Sequence, residues 1–382
     1  MTVTGPDSWH LDHNAGGAPD AEVLACFVEV QRTVPANPAS AHAPGRRARG
    51  VLEDARARIA RALGVGADDV LFTSGGTEAA NMAVLGLGPP ELPVLLSPAE
   101  HPAVFEPAQR RGVRLWDVDA RGAANVVDPA APIGLVALVH AQSEVGTLQP
   151  VAAAAAIAHD REVPFVIDAA QSLGRVSLDS AFDLDAVVVL SPHKAGGLRG
   201  LGVLVGADLG ARLRALLHGG GQEHGLRPGT QSAALAAANA FAIERAVTGC
   251  SARAAAMRSV RGAFADELAR SGCHHVVHTP LDASLPNTLL VQMLGVEGRN
   301  LLPALDLAGV HASHGSACSS GAPTPPRILT AMGLDDASAR ACVRFSFVGD
   351  ESEDHVRAAA RRVADVARRL REKNHAHRTH SS

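Results

Sequence analysis

The stretch PFVIDAAQSLGRVSLDSAFDLDAVVVLSPHKAGGLRGLGVLV, residues 164–205, decides the fold class. Three short apolar runs in it, PFVID (164–168), AVVVLS (186–191) and GVLV (202–205), read as strands, each ending near polar or glycine residues. Working outward, VLF (70–72), VLLS (94–97) and LVALV (135–139) have the same character. Helical stretches separate them: GRRARGVLEDARARIARALG (45–64) has helical apolar spacing and stops at Gly64, and the alanine run 152–156 has high helix propensity. This alternation, from about residue 45 to residue 245, is the pattern of strand-helix-strand units around a mainly parallel sheet, an α/β fold whose strand ends bind ligands.

Beyond residue 250 the alternation weakens. A helix is expected through RGAFADELARSG (261–272), strands around NTLLVQM (287–293) and VRFSF (343–347), and a final Arg-rich helix near 354–373. At 382 residues the chain exceeds what one core usually supports, so two unequal domains are expected. The boundaries are a large domain over 16–248 and a smaller α+β domain over 249–374 joined by segment 1–15, with 375–382 a disordered tail. No internal repeat of fixed period is present.

Apolar residues make up 47% of the chain and charged residues 19%, the balance of a soluble globular protein. The net charge of -4 gives no basic excess for holding a phosphate backbone, so nucleic acid is not an expected direct partner. The first twenty residues lack a cationic segment followed by an apolar one, and no window has the apolar length of a membrane span, so a cytoplasmic location away from membranes is expected. Five cysteines, Cys26, Cys250, Cys273, Cys318 and Cys342, are scattered without a C-x-x-C pair, suggesting neither a disulfide framework nor a zinc site. The three histidines of the tail are not read as a metal site, and no metal is expected.

The chemistry-bearing residues fall at the strand ends. Lys194 in SPHK follows AVVVL among small residues, where an amine of lowered pKa can hold an aldehyde as an imine; taken alone, it reads more readily as a surface lysine in a turn. Asp168 ends PFVID with Gln171 three residues on, and a carboxylate there can pair with a protonated pyridine nitrogen or merely cap a helix. TSGGTEAAN (73–81) puts Gly75, Gly76 and Thr77 at a helix N-terminus attractive to phosphate, with Ser191, His193 and Thr230 as further donors. His101 in SPAEHPAV has an imidazole suited to proton transfer near neutral pH. Cys318 in SHGSACSSGAP lies among small, flexible residues, the setting of a reactive thiol, whereas the other four cysteines read as packing residues.

In order, HLDHNAG, NPASAHAPGRRAR, TSGGTEAAN, EHPAV, SEVGTLQP, IDAAQSLG, LSPHK, GGGQEHGLRPGT, PNTLL, GSACSSG and VRFS resemble the cysteine desulfurases, pyridoxal-phosphate enzymes of the aminotransferase class V fold. GSACSSG is similar to the branch with the longer catalytic-cysteine loop. The resemblance implies fold type I, the aspartate-aminotransferase-like fold, and pyridoxal 5'-phosphate as cofactor. It implies that Lys194 binds the cofactor, His101 stacks on its ring, Asp168 pairs with the ring nitrogen and Gln171 contacts the phenolic oxygen. Gly76, Thr77, Ser191 and His193 are implied at the phosphate, with Thr230 reaching across from a second subunit of a homodimer. Ser143 is implied at the cofactor, and Arg344 and Asn37 at the substrate. The implied reaction takes sulfur from L-cysteine, releases alanine and leaves a persulfide on Cys318 for an unidentified acceptor protein.

The chain departs from that family's pattern at Ala15-Gly16-Gly17, where Ala-Thr-Thr is usual, at Gln142-Ser143 in place of Asn-Asn, and at His224 in place of arginine. These changes touch the substrate pocket more than the cofactor site. Two alternatives stay open: transamination or cysteine/cystine β-elimination through Lys194 without Cys318, and a partner-dependent sulfur-relay subunit of low intrinsic activity.

Overall fold

Every residue of Leu135–Val139, Phe165–Asp168 and Ala186–Leu190 is buried. Strands covered by helices on both faces require that. The computed structural model describes residues 8–314 and 325–380. Its strands, in chain order, are β1 (Trp9–His10), β2 (Val70–Thr73), β3 (Val94–Leu96), β4 (Val113–Leu115), β5 (Leu135–Val139), β6 (Phe165–Asp168), β7 (Ala186–Leu190), β8 (Gly202–Val205), β9 (His275–Val277), β10 (Thr288–Met293), β11 (Val310–His311) and β12 (Cys342–Ser346).

Seven of them form one sheet in the order β2-β8-β7-β6-β5-β3-β4. It is parallel except at β8, which runs antiparallel to both neighbours. Alternating side chains serve two cores: Ile167 joins Ile59 and Ile243 on one face, and Val166 joins Met82 and Val104 on the other. Helices Ala43–Leu63 and Ala233–Thr248 cover the first face, and Gly76–Gly86 and Pro102–Gln109 the second. The fold is α/β with a mainly parallel central sheet, in agreement with the reading of residues 164–205.

A three-stranded antiparallel sheet, β12-β10-β9, has its own core, in which Phe264, Phe345 and Phe347 pack together. Helices Cys250–Arg270 and Glu353–His380 pack against each other there. The N-terminal segment reaches this core through Trp9 and Leu11, with β1 parallel to β11.

The last helix corrects one expectation. It continues through His380, past residue 373, so residues 375–380 extend the helix rather than forming an irregular tail. No glycine or proline lies between Glu353 and His380 to stop it. Gly64 does end its helix, in the left-handed conformation at φ 73°. Among the described residues no helix is long and apolar enough to cross a membrane.

Candidate active site

A cavity of about 260 Å³ opens at the carboxyl ends of β5, β6 and β7, and Lys194, Asp168 and His101 all line it. Lys194 ends a turn, Pro192–Lys194, that begins two residues after β7, and its N–H donates to Ser191 O at 3.0 Å. Burial pushes its amine down to about 8; Asp168 and Glu144 oppose that shift, and Arg175 and Arg344 reinforce it. About a tenth of the amine is therefore neutral at pH 7, far more than for an ordinary lysine, and a neutral amine is what attack on a carbonyl needs.

Asp168, the last residue of β6, is 6% exposed, and its Oδ1 accepts from Ala170 N at 2.9 Å. His101 caps helix Pro102–Gln109: its Nδ1 accepts from Ala103 N at 3.0 Å. An acceptor at Nδ1 puts the ring proton of the neutral form on Nε2. Burial lowers the His101 pKa, with Asp168 opposing and Lys194 adding to the effect.

Gly76 opens helix Gly76–Gly86 beneath the cavity, and a Cβ there would stand 2.1 Å from Ser191 Oγ. A side chain at residue 76 would displace the Ser191 hydroxyl, and with glycine there the helix start forms a cradle of backbone N–H groups flanked by Thr77, Ser191 and His193. His193 is held at about 4 by burial and by the Lys194 and Arg199 charges, so at neutral pH it is an uncharged hydrogen-bonding group. Glu78 ties this turn to the 219–230 loop, accepting from Ser74 N at 2.5 Å and pairing with Arg227 at 3.0 Å.

Gln171, Ser143 and Arg344 form the remaining wall. Gln171 Nε2 donates to Asn14 O at 3.0 Å. Ser143 turns its hydroxyl to Glu144 Oε2 at 2.7 Å, while its carbonyl accepts from Asn14 Nδ2 at 3.0 Å and Arg344 Nη1 at 3.1 Å. Gln142 closes this turn, its Oε1 accepting from Glu144 N at 2.7 Å and Val145 N at 2.6 Å. The departure at Gln142-Ser143 thus turns its polar atoms toward Glu144 and the backbone.

The structure does not bring every sequence candidate here. Asn37 is exposed and closes a turn, its Oδ1 accepting from Ala39 N at 2.9 Å, away from the cavity wall. Thr230 is likewise exposed and absent from this chain's cavity. Cys318 lies outside the described residues. Of the other cysteines, Cys26, Cys250 and Cys273 are half-buried and Cys342 is buried, and burial pushes all four thiols up, Cys342 to about 12. None of these four is set up as a thiolate nucleophile.

Sequence reasoning missed Asn14, Glu144 and Asp12. Asn14 and Glu144 line the cavity, and Asp12 pairs with Arg344. Both stretches, HLDHNAG and SEVGTLQP, carried resemblance, but local pattern gives no hint that residue 14 bonds residues 143, 171, 287 and 288.

Comparison with known proteins identifies the family. The Aminotransferase class-V family model matches residues 9–358. A putative cysteine desulfurase IscS 1 of Bacillus subtilis is 32% identical over 375 residues, 94% of this chain and 99% of the relative. Cysteine desulfurase NifS of Azotobacter vinelandii is 31% identical, over 95% of this chain and 93% of its own length. Among solved structures, a NifS-like protein superposes with a TM-score of 0.84 at 30% identity, covering 95% of this chain and 100% of the other. DndA from Streptomyces lividans gives 0.73 at 28% identity, over 90% and 99% of the two chains. With a family match over most of its length and relatives of this similarity, the chain belongs to the aminotransferase class-V family, among its cysteine desulfurases.

Proposed function

We propose that this cavity is the active site of a pyridoxal-phosphate-dependent cysteine desulfurase that converts L-cysteine to L-alanine and passes the sulfur to Cys318. The observation that carries the reading is the convergence of Lys194, Asp168 and His101 on one cavity, with a helix N-terminus at one end and the buried Arg344 in the wall. The donor set fits the cofactor. The Gly76 cradle and Ser191 suit its phosphate, Lys194 its aldehyde and the buried Asp168 carboxylate its ring nitrogen. When bound, the cofactor supplies an electron sink for charge that develops at the substrate Cα.

The chain's own groups do the rest. Lys194 Nζ, with its pKa lowered to about 8 by burial, accepts the Cα proton in this reading. His101 presents Nε2–H to the cavity and can hold or return a proton. Arg344, 2% exposed on β12, offers a planar guanidinium suited to a carboxylate. Cys318 thiolate attacks the substrate sulfur; the carbon–sulfur bond breaks, a persulfide remains on Cys318, and the carbon skeleton is protonated and leaves as alanine. Thr230 is assigned to the cavity of a second copy, since its exposed loop leaves its own; Asn37, exposed ahead of helix Ala43–Leu63, is assigned in the same way.

Incubating the cofactor-loaded protein with L-cysteine and a reducing thiol, and measuring alanine against pyruvate, tests this. Alanine from the wild type and none from Cys318→Ala is expected. Pyruvate from both proteins would replace the reading with β-elimination, and no product from either would overturn it.

A further inference from the structure

Arg175 lies behind the cavity rather than in its wall, 3% exposed, and all four of its acceptors are neutral oxygens. Nη1 donates to Gln171 O at 3.2 Å and to Gln171 Oε1; Nη2 donates to His13 O at 3.2 Å and Lys194 O at 3.2 Å. One guanidinium therefore ties together three segments that line the cavity: the N-terminal segment that continues into Asn14, the turn after β6, and the backbone of Lys194.

A buried cation facing neutral acceptors is an expensive way to brace a turn. What sets it apart from an apolar side chain is polarity. A guanidinium only donates, so the Gln171 oxygen must face Arg175 and the amide nitrogen must point away, toward Asn14 O and the cavity. Its charge also sits beside the segment that carries the reactive amine.

We propose that Arg175 is a positioning residue: it fixes the Gln171 amide with its nitrogen toward the cavity, anchors the Lys194 backbone, and stands as a fixed positive neighbour that disfavours a second cation there. The charged and titratable groups that act on that amine are Asp168 and Glu144, which favour its protonation, and Arg175 and Arg344, which oppose it. Within the wall, burial holds both His101 and His193 below the ordinary histidine range, which disfavours positive charge on them. The proposal rests on the preceding reading only for what Gln171 and Lys194 touch when a cofactor is bound.

The sequence makes a direct test possible, because it contains two lysines, Lys194 and the exposed Lys373. In cofactor-free protein labelled with 13C at lysine Cε, the two signals can be titrated side by side, with Lys373 as internal reference. Arg175→Met is expected to raise the Lys194 midpoint by about one pH unit, the size of a nearby like charge removed. Arg175→Lys adds a third lysine whose own pKa the same burial lowers, so its readout is cofactor affinity and not the Lys194 midpoint. With one ammonium in place of a fork, it should weaken pyridoxal-phosphate binding by about tenfold, measured by fluorescence titration. An unchanged Lys194 midpoint in folded Arg175→Met, or wild-type cofactor affinity in Arg175→Lys, would overturn the proposal. If Arg175→Met does not fold, the Arg175→Lys measurement decides alone. A wild type that binds no pyridoxal phosphate would instead defeat the reading of the cavity, and the Lys194 titration would still stand.

Discussion

Arg344 Nη2 lies 2.5 Å from Asp12 Oδ1, so the guanidinium assigned to the substrate is already held by a carboxylate of the N-terminal segment. Asp12 bridges to Ser346 and Arg344 pairs with Ser313, which sets the two side chains beside each other at the edge of the small sheet. The pair orients the guanidinium, and its second nitrogen donates to Ser143 O. Arg344→Lys should therefore fold, because a cation still faces Asp12. It should lose the planar two-point match to a carboxylate and lower kcat/KM for L-cysteine by about ten- to hundredfold, chiefly through KM. Steady-state alanine production checks this, and an unchanged KM would remove Arg344 from substrate binding.

The Lys194 amine sets a second expectation. Its pKa is lowered from 10.5 to about 8, chiefly by burial, so the neutral fraction grows with pH and saturates above about 8 rather than above 10.5. The rate at which cofactor-free protein captures pyridoxal phosphate, followed by absorbance in a stopped-flow instrument, should rise about tenfold per unit below the midpoint and level off near pH 8 to 9. A rate still climbing at pH 10 would mean that the lysine is not desolvated in solution as it is in this structure.

How much of this was legible in the sequence follows from how local each feature is. Strands such as Leu135–Val139 announce themselves because helices on both faces demand unbroken apolar runs. That Lys194, Asp168, Gly76 and His101 share one cavity is foreshadowed because each stands at a strand end or helix start that the pattern marks. Helix Ala21–Thr33 escaped, since it rests on helix Ala233–Thr248 with Leu24 and Val28 left exposed and so lacks a full apolar stripe. Arg175, Asn14 and Glu144 escaped for a different reason. Their surroundings come from distant parts of the chain, Asn14 bonding a partner 332 residues away, and no window of sequence contains both ends of the Asn14–Ser346 bond.

Glu100, next to His101, offers a test of burial with a worked sign. It is 4% exposed; Oε1 accepts from Val139 N at 2.7 Å, and Oε2 is buried without a partner. Burial pushes its pKa up to about 8 from 4.5. A group whose folded pKa is raised contributes stability that is fully present below its unfolded value and lost as pH rises through the folded value. The loss due to Glu100 therefore develops between about 4.5 and 8. His13 and His193, both lowered to about 4, act oppositely, raising stability as pH climbs from about 4 to 6.5. Glu100→Gln mimics the protonated acid and leaves both histidines untouched, so it should gain stability relative to wild type from pH 5 to pH 8. Urea midpoints at the two pH values measure that gain; a difference that does not change with pH would show that Glu100 ionises freely.

The loop that carries Thr230 is held at its other end by a buried ion pair. Glu223 receives Arg56 Nη2 at 2.7 Å and Nη1 at 3.0 Å, together with Phe72 N at 2.8 Å and the Gln231 side chain. Glu223 and His224 both adopt left-handed backbone, φ 50° and 56°, a strain that persists only where the surroundings impose it. Glu223→Ala would leave the buried Arg56 with only the exposed Glu53 carboxylate, 2.9 Å from its Nε, as counter-charge, at a cost of about 3 kcal/mol, and release the strained turn. Denaturant melts should show the loss, and hydrogen exchange should quicken at residues 219–231. The double variant Arg56→Met/Glu223→Leu separates charge from anchorage. With no buried charge left unpaired, Glu53 being exposed to solvent, it should regain most of the stability, yet the loop should still exchange fast, because no donor fork holds the left-handed residues. A double variant whose loop stays protected would show that packing alone shapes the turn and that the ion pair is dispensable for presenting Thr230.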